Sequence, residues 1–189
     1  LLEAINYAGD IAMAAAFIRM TGVRLIQTAL EDALERGARV RVLTGDYLGV
    51  TEPQALKYLM LLQEQGAEVK IFESKGTTSF HMKAYIFTRK AGESVTDGCA
   101  FIGSSNLSQA ALVDGLEWNL KVDRAEDENR FALILAEYEA LYAKSACREL
   151  THLWIDDYIM RIPDPTMAPT PSEPGQEETE PPPIPNPVQ

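Results

Sequence analysis

The chain has 189 residues, 46% of them apolar, and a formal charge of -11 at pH 7. That length accommodates one domain with a sizeable core, no apolar run approaches the roughly 18 residues of a membrane span, and the acidic balance argues against a broad basic face for duplex DNA while leaving room for a local basic groove. The only cysteines, Cys99 and Cys147, lack a C-x-x-C or Cys/His cluster, which argues against a zinc site and suits a reducing, cytoplasmic setting.

In chain order, the opening LLEAINYAGD lacks a methionine and reads as a piece cut from a larger protein. A strand is expected over Ile11 to Ile18, then a helix over roughly 21 to 36 with Leu25, Ala29, Leu30 and Ala33 at three- and four-residue spacing. LERGARVRVLTG (Leu34 to Gly45) and LQEQGAEVKIFES (Leu62 to Ser74) repeat one pattern: a helix end, Gly-Ala, and an alternating strand. Gly37 and Gly66 take the left-handed position past the helix end, and the second helix covers about 54 to 65, with Leu56, Leu59 and Met60 inward. Strands follow at Met82 to Thr88, Ala100 to Gly103 and Trp118 to Val122, with RKAGESVTDG between the first two as a hairpin loop. Helices over 126 to 144 and 149 to 160 close the body. Strands alternating with helices indicate an α/β fold, a layered sandwich with a central mixed, mostly parallel sheet flanked by helices.

From Pro163 onward the composition changes. This segment holds ten of the eleven prolines and five acids but no lysine or arginine, and it cannot bury enough apolar area to offset its ordering entropy. Residues 163–189 therefore read as a proline-rich acidic linker or tail, and residues 1–162 as the folded domain.

Two short segments carry chemistry. In SFHMKAYIF, His81 and Lys83 stand two residues apart on an expected strand, which puts them on one face about 6.6 Å apart, able to approach one phosphate from two sides. The same pattern also describes a strand-entry histidine beside a solvated lysine. In AFIGSSNLSQAAL, Gly103 allows close backbone approach, and Ser104 and Asn106 offer uncharged donors to a phosphate oxygen; a helix cap is the bland alternative. Glu117 follows in GLEWNLKV, where a carboxylate beside the site could accept the Nδ1 proton of His81 and leave Nε2 free to attack.

His81-Met82-Lys83, then Gly103-Ser104-Ser105-Asn106, with Glu117 beyond, resembles the H-x-K…G-S-x-N motif of the phospholipase D superfamily in its single-motif, nuclease-like branch. The flanks TGDYLGVTEPQAL and FIGSSNLSQAALVDGLEWN resemble the phospholipase-D-like domains joined to bacterial superfamily II helicases. The resemblance spans about residues 1 to 145. It implies a phospholipase D/nuclease-like sandwich and metal-independent phosphodiester cleavage through a phosphohistidine, without a cofactor. His81 is the implied nucleophile, Lys83, Ser104 and Asn106 stabilise charge on the non-bridging oxygens, and Glu117 orients the imidazole. The implied partners are nucleic acid, DNA first, and a helicase domain of the same full-length chain, with no membrane. A second histidine must protonate the leaving oxygen, and single-motif members supply it by pairing two identical chains. The implied homodimer would have its active site on the two-fold axis, with the Gly103 to Leu107 turn and the residues around Trp118 at or near the interface.

In the full motif an aspartate, mainly supportive, follows the lysine by five residues. Here that position is Thr88. The other histidine, His152, reads as a face residue of a helix packing Leu150, Leu153, Trp154 and Tyr158 inward. Arg36, Arg39 and Arg41 read as a solvated edge, Trp118 and Trp154 as core, and the acids of VDRAEDENR as a helix start. Three function classes follow: a nuclease domain, a non-catalytic nucleic-acid-binding accessory domain that keeps the motif residues, and a phospholipid-cleaving enzyme. No amphipathic basic helix supports the third.

Overall fold

A computed structural model describes residues 1–74 and 78–162; the expected linker over 163–189 lies outside the described residues. The elements in chain order are α1 (Leu2–Tyr7), β1 (Asp10–Ala15), α2 (Met20–Glu35), β2 (Arg39–Gly45), α3 (Pro53–Glu64), β3 (Glu68–Phe72), β4 (Lys83–Ala91), β5 (Ser94–Gly103), β6 (Asn119–Asp123), α4 (Glu128–Tyr142), β7 (Cys147–Glu149) and α5 (His152–Arg161). The strands form one sheet in the order β6-β5-β4-β1-β2-β3-β7.

The sheet is mixed and flanked by helices, as expected of an α/β sandwich. It is not mostly parallel: β1–β2 and β2–β3 are parallel, whereas β1–β4, β4–β5, β5–β6 and β3–β7 are antiparallel. The two helix-to-strand repeats build the parallel half, because a strand returning parallel to its neighbour needs a crossover helix. Gly37 (φ 78°) and Gly66 (φ 106°) end those helices in the left-handed region.

One face of the sheet packs Ile11, Met13, Val40 and Val42 against Val23, Ile26, Leu30, Leu56 and Leu59 of α2 and α3, with Ile5 of α1 and Ile155 and Tyr158 of α5 in the same core. The other face carries Ala12, Ala14, Ala84 and Ala100 among larger residues and is covered by Phe131, Tyr138, Leu141 and Tyr142 of α4. On α2, Ile26 is buried and Leu25 is 37% exposed, one position from the expected inward stripe.

The segment expected as a hairpin loop is instead sheet. β4 and β5 continue pairing to Ala91–Ser94, with a one-residue register shift at Arg89/Lys90 and a turn at Gly92 (φ 61°). Its outer residues are mostly exposed, so burial leaves little apolar alternation to read there. α1 and β7 are additions to the expected elements; each is short, and Glu149, assigned to the last helix, pairs in β7. After the Gly103–Asn106 turn, Ala110–Asp114 form a five-residue π turn.

Candidate active site

The β4–β5 hairpin brings the two motif segments together. Ala84 pairs with Ile102 and Gly103 with Asn119, so the start of β4, the end of β5 and the start of β6 lie side by side, next to Ala15 at the end of β1. The hairpin extension projects from the opposite end of the sheet, so it does not disturb the meeting point of the two motif segments.

Phe80, 2% exposed, anchors the chain just before His81 by stacking on Phe72 (5.3 Å between centroids). It also fills the space at Gly45, where a β-carbon would stand 2.9 Å from its ring. His81 itself is exposed, and Lys83 is 6% exposed. The Lys83 Nζ lies 2.8 Å from His81 Nδ1, 3.2 Å from Nε2 and 2.9 Å from the His81 carbonyl oxygen. Burial pushes the Lys83 ammonium below the ordinary lysine range, and the nearby Glu117 carboxylate pulls it part of the way back.

The Gly103–Asn106 turn is held on three sides. Arg19 N donates to Leu107 O (2.9 Å), Tyr85 Oη to Ser105 O (2.9 Å), and Asn119 Nδ2 to Ser105 Oγ (2.8 Å). Phe17 N donates to Asn106 Oδ1 (3.1 Å), which fixes the amide orientation and turns its NH2 group into the available end, a donor. Gly22 permits this docking, because a β-carbon there would overlap the Leu107 backbone. Gly103 has a different reason from the one its motif suggests. What approaches it is the Trp118 carbonyl of the neighbouring chain segment, which occupies the place a β-carbon would need.

Glu117 is brought to Ser104. The Ser104 hydroxyl donates to Glu117 Oε2 and accepts from Trp118 N at 3.0 Å, while Ser104 N donates to Trp118 O at 3.0 Å. The serine proton is therefore held by the carboxylate, and Lys83 and the Asn106 amide are the donors best placed for an incoming anion.

Several expectations are corrected. Trp118 is 89% exposed, flanked by Leu116 and Leu120 at 104% and 59%, and is not core; Trp154 is half-buried, stacked on Tyr158 and donating to Glu73. Leu153 points outward and Ile155 takes its place. Arg41 is 1% exposed rather than solvated, because β2 is a central strand roofed by α4; its guanidinium reaches Asp10 (3.1 Å) and Glu139 (2.7 Å). Arg39, on the same strand, does stay outside and pairs with Glu68 at 2.6 Å. His152 is exposed at the first turn of α5, a helix that packs on α3. Asp127 caps α4 by accepting from Arg130 N at 2.9 Å, the helix-start role read from the acidic run.

Residues that sequence reasoning missed are Phe17, Gly22 and Tyr85. Only Gly22 carried a signal, as a glycine inside a helix-forming pattern where alanine would be favoured by about 1 kcal/mol.

The fold is shared with proteins of known structure. NucT from Helicobacter pylori superposes with a TM-score of 0.59 at 18% identity, covering 78% of this chain and 87% of that one. A phospholipase D family member, Nuc from Salmonella typhimurium, gives 0.57 at 20% identity, covering 78% and 86%. TrmBL2, an archaeal chromatin protein, gives 0.50 at 17% identity, covering 79% of this chain and 48% of that one. None of the curated proteins matches the sequence. At the level of families, residues 1–139 match the one described as "Cardiolipin synthase, PLD-like domain". That span takes in β1 through β6 and every motif residue, and the chain belongs to this phospholipase-D-like family.

Proposed function

We propose that this chain is a nuclease-type phosphodiesterase that cleaves nucleic acid, DNA first, through a phosphohistidine on His81, as one domain of a larger bacterial helicase-type protein. The observation that carries the reading is the buried Lys83 ammonium held 2.8 Å from His81 Nδ1 at the end of the sheet where Ser104, Asn106 and Glu117 also stand. Nuc from Salmonella typhimurium, which shares the fold, is a phospholipase D family member, and this supports phosphodiester chemistry.

In the proposed cycle His81 Nε2 attacks phosphorus and the bond to the leaving oxygen breaks, that oxygen taking a proton from a second imidazole. The same imidazole then removes a proton from water, which attacks phosphorus and breaks the P–N bond, restoring His81. Lys83 and the Asn106 amide meet the charge on the non-bridging oxygens. Glu117 holds the Ser104 hydroxyl with Oε2, and its other oxygen serves the imidazole N–H. An arriving phosphate competes with the imidazole for the Lys83 ammonium, which frees Nδ1 to carry the proton that Glu117 accepts.

The second imidazole comes from a second copy of the chain. His152 is the only other histidine in the sequence, and it belongs to α5, which packs at the β3 side of the sheet, three strand spacings or about 14 Å from β4. The exposed Leu116, Trp118 and Leu120 beside Ser104 supply apolar area for such a homodimer.

The non-catalytic alternative has an observation of its own: the Ser104 proton is taken by Glu117. TrmBL2, a chromatin protein with its own mode of DNA binding, shares the fold. Incubating the purified domain with labelled single- and double-stranded DNA and RNA in EDTA separates the two. Cleavage in EDTA that His81→Ala abolishes supports the phosphohistidine; binding without cleavage supports the accessory role, and cleavage that needs added magnesium defeats the mechanism.

A further inference from the structure

Beside His81 a cavity of about 380 Å³ opens between the sheet and α4. His81 and Lys83 line its mouth; Ile86 and Ile102 of the sheet face Ile134 and Leu141 of α4 across it. It exists because the sheet presents Ala14 and Ala84 there, side chains too small to fill the space under the helix. Its volume is in the range of small-molecule sites, and it reaches the end of the sheet where the His81–Lys83 segment enters β4, on the face opposite the one to which Lys83 alternates.

We propose that this cavity is a subsite for the nucleobase adjoining the scissile phosphate, so that substrate enters as an unstacked nucleotide from a single strand or a frayed end. The inference rests on the phosphodiesterase reading of His81 and names the substrate feature that this site selects. The observation that points to a ligand is Tyr138, which lines the cavity, is 3% exposed, and has a buried hydroxyl with no hydrogen-bond partner among the described residues. Buried polar groups are almost always paired, and one left unpaired is costly. A ligand that fills the apolar space and brings one hydrogen-bonding edge removes that cost.

A heteroaromatic base has that form, with apolar faces for the isoleucines and a polar edge for Tyr138. An acyl chain would match the walls and leave the hydroxyl unpaired; a bare sugar would pair it and set its own hydroxyls against isoleucine. Glu137, also on the lining, is a carboxylate acceptor and favours bases carrying an exocyclic amine. A base paired and stacked in a duplex cannot enter without leaving the stack, which gives the single-strand requirement. Burial pushes the Tyr138 hydroxyl far above the ordinary tyrosine range, so it stays a neutral donor at any working pH.

The test has a binding arm and a cleavage arm, both on the full chain. In the first, calorimetry compares deoxycytidine 5′-monophosphate with 2-deoxyribose 5-phosphate and dihexanoyl phosphatidic acid. The nucleotide should bind at least tenfold tighter than the base-free phosphate, and both Tyr138→Phe and the space-filling Ile134→Trp should shrink that ratio toward one. Equal affinities in the wild type, or a phosphatidic acid that outcompetes the nucleotide, would overturn the proposal. If Ile134→Trp fails to fold, Tyr138→Phe carries the test alone, since removing an unpartnered hydroxyl leaves the core volume intact. In the second arm, a single-stranded oligonucleotide with one abasic residue should be cleaved at least tenfold more slowly at that residue than at an intact one. Equal cleavage there removes the subsite and leaves the phosphodiesterase reading standing; base-dependent binding with no cleavage of any oligonucleotide does the reverse.

Discussion

Asp10 stands directly across from Thr88, Cα to Cα, on the antiparallel β1–β4 pair. Both are buried, at 5% and 3% exposure, and both lie on the face roofed by α4, where Asp10 binds Arg41 at 3.1 Å and Lys90 at 2.7 Å. Side chains alternate faces along a strand, so a residue five positions after Lys83 faces away from it. The position that holds aspartate in the full motif therefore points into the sheet's second layer, away from His81 and Lys83, and here the carboxylate of that layer comes from the neighbouring strand.

Relocating the carboxylate should then be tolerated. Asp10→Thr leaves the Arg41 guanidinium buried without one of its partners and should cost about 3 kcal/mol by chemical denaturation. Adding Thr88→Asp to that variant should restore at least half of the loss. No recovery in the double variant would show that the two positions are not equivalent.

Asp10 also sets an acid limb. Burial alone would raise its carboxyl, but the hydrogen bond from Lys90 and the charge and hydrogen bond of Arg41 outweigh it and hold it below the usual range. A carboxylate depressed in the folded state contributes stability that is complete above the unfolded value of about 4 and is lost as pH falls through the folded value. Denaturation midpoints measured from about pH 6 down to about pH 2 should fall less steeply in Asp10→Asn than in the wild type.

Glu117→Gln tests the carboxylate between Ser104 and Lys83. The amide can still accept from Ser104 but no longer supports the Lys83 charge that burial opposes. Turnover should drop by an order of magnitude or more, and the alkaline limb of the pH–rate profile should move to lower pH, because Lys83 loses its proton earlier. An unshifted alkaline limb would separate Lys83 from the rate.

Gly22→Ala should invert the usual helix rule. In an open helix the change stabilises by about 1 kcal/mol, yet here the new methyl would collide with the Leu107 backbone. Either the helix or the motif turn has to shift, so thermal stability should fall and cleavage should drop tenfold or more through loss of the Asn106 position. A variant both more stable and fully active would place the turn elsewhere.

The second histidine is tested by mixing. Heterodimers of wild-type and His81→Ala chains should lose far more than half the activity, since either imidazole alone cannot complete the cycle. Trp118→Glu should push the chain toward monomer by sedimentation and lower cleavage with it. A fully active monomer at micromolar concentration would redirect the search for the acid to His152.

Local chemistry in the sequence determined much of this. Helix periodicity, the Gly37 and Gly66 stops and the alternating strands after them specify the parallel half of the sheet, since each depends on contacts within a few residues. His81, Lys83, Ser104, Asn106 and Glu117 are recognisable as a set for the same reason, being fixed in type and order along the chain. Only the tertiary structure decided who touches whom across long separations. Ser104 is what it brings to Glu117, Phe17 what holds Asn106, and Arg41, which sequence assigns to a solvated edge, is enclosed because α4, about 90 residues later, lies over it. Trp118 went the other way: a tryptophan beside an alternating strand reads as core, but β6 is an edge strand and its neighbours leave that face uncovered. Burial is a property of what arrives from elsewhere in the chain, and no window of local sequence contains it.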